Sequence, residues 1–203
     1  MFFLEKKEIV MARKVTVSKE VILEAALAML IRDGYASINI KSLAAEIGCS
    51  TQPIVWHFEN MEGLRMALAE YAREYADKKA APKKGNAIEG FEHMGESYVN
   101  MAIKEPNLFK FLYLGESPLG KPYELKDISG AKANEEMIKN IAELTGLSFE
   151  QIARVIKSTI IYSHGIATML ATGVYKAPKK VIMAMIKNAS EAFLIKERMG
   201  SNG

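Results

Sequence analysis

Cysteine is almost missing from this chain: Cys49 stands alone among 203 residues. That excludes an internal disulfide framework and a cysteine-based zinc site, and it fits a reducing cytoplasm. An excess of one charge is missing too. Twenty-seven basic residues face 24 acidic ones, a formal charge of +3, so affinity for an anionic polymer has to come from local placement rather than from a polycation. The apolar stub at residues 1–4 runs straight into Glu5, Lys6, Lys7 and Glu8 and is too short for a signal-peptide core, so a cytoplasmic protein is expected. The longest uncharged run, residues 158–175, reaches the length of a membrane span. It carries Ser158, Thr159, Ser163, His164, Thr168 and Thr172, and it reads as a buried helix of a protein with no membrane partner.

Signs of catalysis are equally sparse. The chain has no glycine-rich phosphate loop, nucleophile elbow, metal dyad or credible triad, so no enzyme is expected. His57, His93 and His164 are far apart and lack the short paired spacing of metal ligands. Neither a metal nor a cofactor is called for. No stretch alternates apolar and polar residues as a half-buried strand does, and helical periodicity dominates throughout, so the fold class is all-α.

What is present is a series of capped amphipathic helices. Ser18 opens the first, which turns Ile22, Leu23, Ala26, Leu27 and Leu30 inward until Gly34 ends it. Asn39 caps a short second helix, and Gly48 supplies the left-handed turn after it. Ser50 is expected to cap the third, with Pro53 in its first turn. Asn60 caps a fourth over about residues 60–81, where Ala81, Pro82 and Gly85 break the pattern. These boundaries give an amino-terminal extension at 1–17, a three-helix unit at 18–64, a connecting fourth helix, and a helical carboxy-terminal domain at 82–203. The latter holds a fifth helix with Phe91, Met94, Tyr98 and Met101 on one face and a sixth opening at Pro106. A seventh follows at about 129–145, an eighth at 149–172 closed at its start by a Ser148/Gln151 capping box, and a ninth after Pro178.

The segment 35–64, YASINIKSLAAEIGCSTQPIVWHFENMEGL, combines cap, turn glycine, cap and apolar spacing in the manner of a helix-turn-helix. It resembles the signature of the TetR family of transcriptional regulators. Gly34 and Tyr35 close helix one, Leu43 and Ala44 lie in helix two, and Gly48, Cys49 and Ser50 make the turn. His57 and Phe58 end the recognition helix, and Asn60 and Glu62 match the start of helix four. The resemblance covers about residues 18–68 by motif, and beyond that only helix number, order and length agree. It implies a dimeric repressor that binds double-stranded, inverted-repeat operator DNA and is released by a small apolar or amphipathic ligand.

A recognition helix lies in the major groove with its first turns at the base edges. On that basis the DNA-contacting residues are expected to be Lys41, Ser50, Thr51, Gln52, Pro53, Ile54, Trp56 and His57. Gln52 can serve adenine, Pro53 and Ile54 can touch a thymine methyl, and Trp56 and His57 approach the sugar-phosphate backbone. Phe58 and Cys49 read as core. The family commonly has tyrosine where this chain has Val55 and a phosphate-binding lysine where it has Met61. No Lys or Arg occurs from Ser42 through Leu64, which leaves Lys41, Arg65, Lys19, Arg13 and Lys14 to neutralise phosphates and implies a shallow salt dependence.

In the carboxy-terminal half, Met94, Tyr98, Met101, Phe109, Tyr113, Met137, Tyr162 and Met169 form a soft, aromatic set. It suits a pocket for a lipophile between helices five to eight, or equally a filled core. The eighth helix is uncharged around most of its circumference and must be covered on several sides, as in a homodimer built from helices eight and nine. The alternative is a helical protein-interaction adaptor that has lost operator binding.

Overall fold

Ser18 opens the first helix, α1 (Lys19–Asp33), by accepting the Val21 amide on its Oγ at 3.3 Å. The computed structural model describes residues 17–81, 85–118 and 132–200. Among them nine α-helices form and no strand, so the fold is all-α. A single turn of 3₁₀ helix, Tyr35–Ser37, leads into α2 (Ile40–Ile47). There the Asn39 side chain accepts the Lys41 and Ser42 amides while Ser42 Oγ accepts the Asn39 amide, a reciprocal cap that satisfies three otherwise unpaired donors. Gly48 sits at φ +75° and ψ +34°, where a Cβ would be strained, and turns the chain into α3 (Gln52–Phe58). This third helix starts later than predicted. Thr51 rather than Ser50 precedes it, and the Thr51 side chain makes no capping bond.

Helix α4 (Met61–Ala80) is capped by Asn60, which accepts the Gly63 amide at 3.0 Å. The predicted break at Pro82 lies outside the described residues. Helix α5 (Ala87–Lys104) begins with an Asn86/Glu89 capping box and is followed directly by α6 (Pro106–Tyr113). Glu105 alone separates them, closing one helix and opening the next. Helix α7 (Lys132–Thr145) is described from Lys132, its predicted start at residue 129 lying outside the described residues. Helix α8 (Phe149–Ala171) carries the predicted Ser148/Gln151 box, and α9 (Lys179–Met199) starts after Pro178 and lies along α8.

One continuous core runs from the inward faces of α1–α4 through Leu108, Phe109, Phe111 and Leu112 of α6 to Ala167 and Ala171 of α8. Two smaller clusters join α5, α8 and α9 at Val99, Ile166, Ile182 and Ile186, and α7 to α8 at Ile138, Ile141, Ile152 and Ile156. Helix α6 is the element that ties the halves together. Its Phe111 is fully buried and stacks on Tyr35 at 5.1 Å between centroids, and its Asn107 amide donates to the carbonyls of Ile31 and Arg32 at the end of α1.

Candidate nucleic-acid interface and sensor cleft

The seven residues of α3 divide cleanly by helical spacing. Ile54 and Phe58, four apart, point inward and are 0% and 5% exposed, on the same core as Leu43 and Ala44 of α2. Ile54 is therefore withdrawn from the expected DNA contacts: it anchors the helix, and no part of it is left to reach a base. The opposite face carries Thr51, Gln52, Val55 and Trp56, all exposed, with Trp56 at 75% and Val55 at 43%. Ser50 and Lys41 are exposed beside them, and Pro53 is half-buried.

The far end of α3 is fixed from two directions. His57 Nε2 lies 3.0 Å from the carbonyl oxygen of Val17, joining the recognition helix to the residue that leads into α1. Its ring is thus half-buried and committed to a structural bond. Beyond Phe58 the chain reverses through Glu59, at φ +64° and ψ −52°, with the Asn60 amide donating to the Phe58 carbonyl at 2.7 Å. This is a γ-turn with positive φ, a strained geometry for a residue bearing a Cβ. The Phe58 carbonyl then rests against Gly63, where a Cβ would stand only 2.1 Å from that oxygen. Glycine at 63 lets α4 approach the end of the recognition helix.

The cations predicted for phosphates are partly engaged elsewhere. Arg65 lies over the Tyr35 ring at 5.1 Å and donates through Nη2 to the Glu116 carbonyl at 2.7 Å, so it joins the head to the segment after α6. Arg32, outside that set, holds Glu46 through two hydrogen bonds of 2.9 and 3.1 Å, and these hold the Glu46 carboxyl below its usual range. Lys41 and Lys19 remain exposed, the latter 5.7 Å from the Phe58 ring centroid. Arg13 and Lys14 lie outside the described residues.

In the other half, an open-sided cleft of about 380 Å³ lies between α4, α5 and α6. Met94, Tyr98, Met101 and Tyr113 line it, together with Asp77, Lys79, Lys104 and Glu105. Tyr98 is its centre: its ring meets Phe109 and Tyr113 edge-on at 5.1 and 5.0 Å, and its hydroxyl is 2.6 Å from His164 Nδ1. At one end Glu105 Oε1 accepts from both Tyr75 and Lys79 at 2.7 Å.

Residues 22–68 match the family model described as bacterial regulatory proteins, tetR family. That stretch carries the amino-terminal helix-turn-helix of this family. The solved structures agree in fold. A TetR variant from Acinetobacter baumannii AYE, in complex with minocycline, is similar over 90% of this chain and 97% of its own, with a TM-score of 0.55 and 15% identity. A TetR-like transcriptional regulator from Rhodococcus sp. RHA1 is similar over 86% and 93%, with a TM-score of 0.55 and 13% identity. No curated protein sequence matches.

Against the TetR pattern, Met61, where the family carries a phosphate-binding lysine, packs half-buried on the head's core, while Val55 is exposed in place of tyrosine. Of the sequence-derived sensor set, the fold brings together Met94, Tyr98, Met101 and Tyr113 at the cleft, with Phe109 fully buried behind Tyr98 and Tyr113. Met137 packs apart, against the α7–α8 cluster. Tyr162 and Met169 face outward from α8, 36% and 40% exposed. The Tyr75, Lys79 and Glu105 cluster escaped the sequence reading, although the i, i+4 spacing of Tyr75 and Lys79 is visible there. Among the described residues no group of His, Cys, Asp or Glu is placed to hold a metal ion, and no helix is long and apolar enough to cross a membrane.

Proposed function

We propose that this chain is a cytoplasmic repressor that binds an inverted-repeat operator as a homodimer and leaves it when a small amphipathic ligand enters the cleft between α4, α5 and α6. The observation that carries the DNA half is the exposed face Thr51, Gln52, Val55 and Trp56 on a helix buried only along its opposite side. Residues 18–64 act as the DNA-binding head and 82–203 as the sensing and dimerising part, with the half-sites about one helical turn apart or slightly more.

The dimer half rests on two apolar stripes that a single chain leaves open. On α8, Ile161, Tyr162, Gly165 and Met169 recur at helical spacing. On α9, Val181, Ala184, Ala192, Ile195 and Met199 do the same. Large exposed apolar stripes on neighbouring helices favour burial against a second copy. For the ligand, the aromatic and thioether lining supplies apolar area and the charged residues at the cleft supply orientation. Release requires the ligand to bind the DNA-free state more tightly than the bound one.

A gel-shift titration on the chain's own promoter region, with sedimentation of the free protein, tests this reading. A sequence-selective shift by a dimer is expected. A well-folded protein that shifts no DNA selectively would favour the adaptor alternative, in which Trp56 and Val55 meet a protein.

A further inference from the structure

Given that operator-binding reading, we propose that the recognition helix identifies its half-site chiefly through thymine C5-methyl groups, read by Trp56 and Val55, with Gln52 supplying the polar contact. Gln52, Val55 and Trp56 stand at i, i+3 and i+4 on one face of α3, so a groove that admits Gln52 to a base edge brings the other two alongside. That face is two parts apolar: the indole is 75% exposed and the valine 43%. It holds no cation, for the chain has none between Ser42 and Leu64. The bidentate arginine or lysine contact to guanine is therefore not available from this helix.

Base edges in the major groove offer hydrogen-bonding groups almost throughout, and the thymine methyl is the apolar exception. Setting an indole against phosphates instead would dehydrate charged oxygens with no donor to replace the lost water except the single indole N–H. Of the two residues that the sequence offers for this role, Ile54 is buried in the head and Pro53 is half-buried, so Val55 and Trp56 are the most exposed apolar groups for the contact.

The test replaces thymine by uracil, which removes the methyl and nothing else. Duplexes enriched from a random pool by the full-length protein are resynthesised with uracil at each thymine in turn, and affinities are measured by fluorescence anisotropy. One or more positions in each half-site are expected to lose about 4-fold, the equivalent of ~0.8 kcal/mol for one buried methyl. Trp56→Ala or Val55→Ala is expected to bind thymine and uracil forms alike at the position it serves, with unchanged helicity by circular dichroism. Equal binding of every uracil duplex, or full thymine preference in both variants, overturns the inference while leaving operator binding intact. Failure to enrich any duplex overturns the operator reading and this inference together.

Discussion

Asn107, in the first turn of α6, donates its side-chain amide to the carbonyl of Ile31 in the last turn of α1, 76 residues earlier, at 3.2 Å. The end of a helix leaves carbonyls without intrahelical donors, and here a residue of α6 satisfies one. Asn107→Ala is expected to lower stability by about 1 kcal/mol, and Asn107→Asp by more, because a carboxylate would face those carbonyls. Urea denaturation of the two variants checks the order.

The turn between α3 and α4 makes opposite demands at two positions. Gly63→Ala forces a methyl against the Phe58 carbonyl and is expected to cost about 1–3 kcal/mol. Glu59→Gly relieves a positive φ and is expected to add about 1 kcal/mol. Thermal melts decide both. A Gly63→Ala protein as stable as the parent would contradict the close approach.

Gln52 leads the exposed face of the recognition helix. Gln52→Ala is expected to weaken the cognate operator by about 1–3 kcal/mol while leaving non-specific DNA nearly unaffected. Equal losses on both duplexes would show that the side chain reads no base.

Charge on the open stripes tests the assembly. Ile161→Glu combined with Ile195→Glu is expected to give a folded monomer by sedimentation, since each side chain is at least half exposed in the single chain and would be buried only by a partner. Ala167 would be the wrong choice, because it is fully buried within its own subunit.

Burial holds His164 below the ordinary imidazole range, and a neutral Nδ1 facing the Tyr98 hydroxyl suits that state. The folded protein resists protonation that the unfolded chain accepts near a pKa of about 6.5. The stabilising contribution is thus present above that value and fades as pH falls below it. The urea midpoint should drop between pH 7.5 and 5.5, and drop less in His164→Gln.

The caps made the head legible. Ser18, Asn39 and Asn60 each accept the amides that their sequence positions imply, and Gly48 turns where the pattern requires it. These are contacts between residues two or three apart. The contacts of Ile54 and Arg65 are not legible in this way because their partners are distant: the Ile54 side chain meets the head's core, and the Arg65 guanidinium finds a carbonyl 51 residues away. Periodicity places a residue on a face without naming what lies across from it. For the same reason Tyr98 and Tyr113 share a cleft while Met169, of similar character, points outward from α8.

The joint at Glu105 has a mechanical consequence. One residue closes α5 and opens α6, and its carboxylate is gripped by Tyr75 and Lys79 of α4. No loop intervenes to take up slack. A displacement at the end of α5, beside the cleft, arrives at Asn107 within two residues and hence at the last turn of α1. Three helices therefore meet at a single side chain, and a stiff corner there would carry a small movement of α5 on to α1.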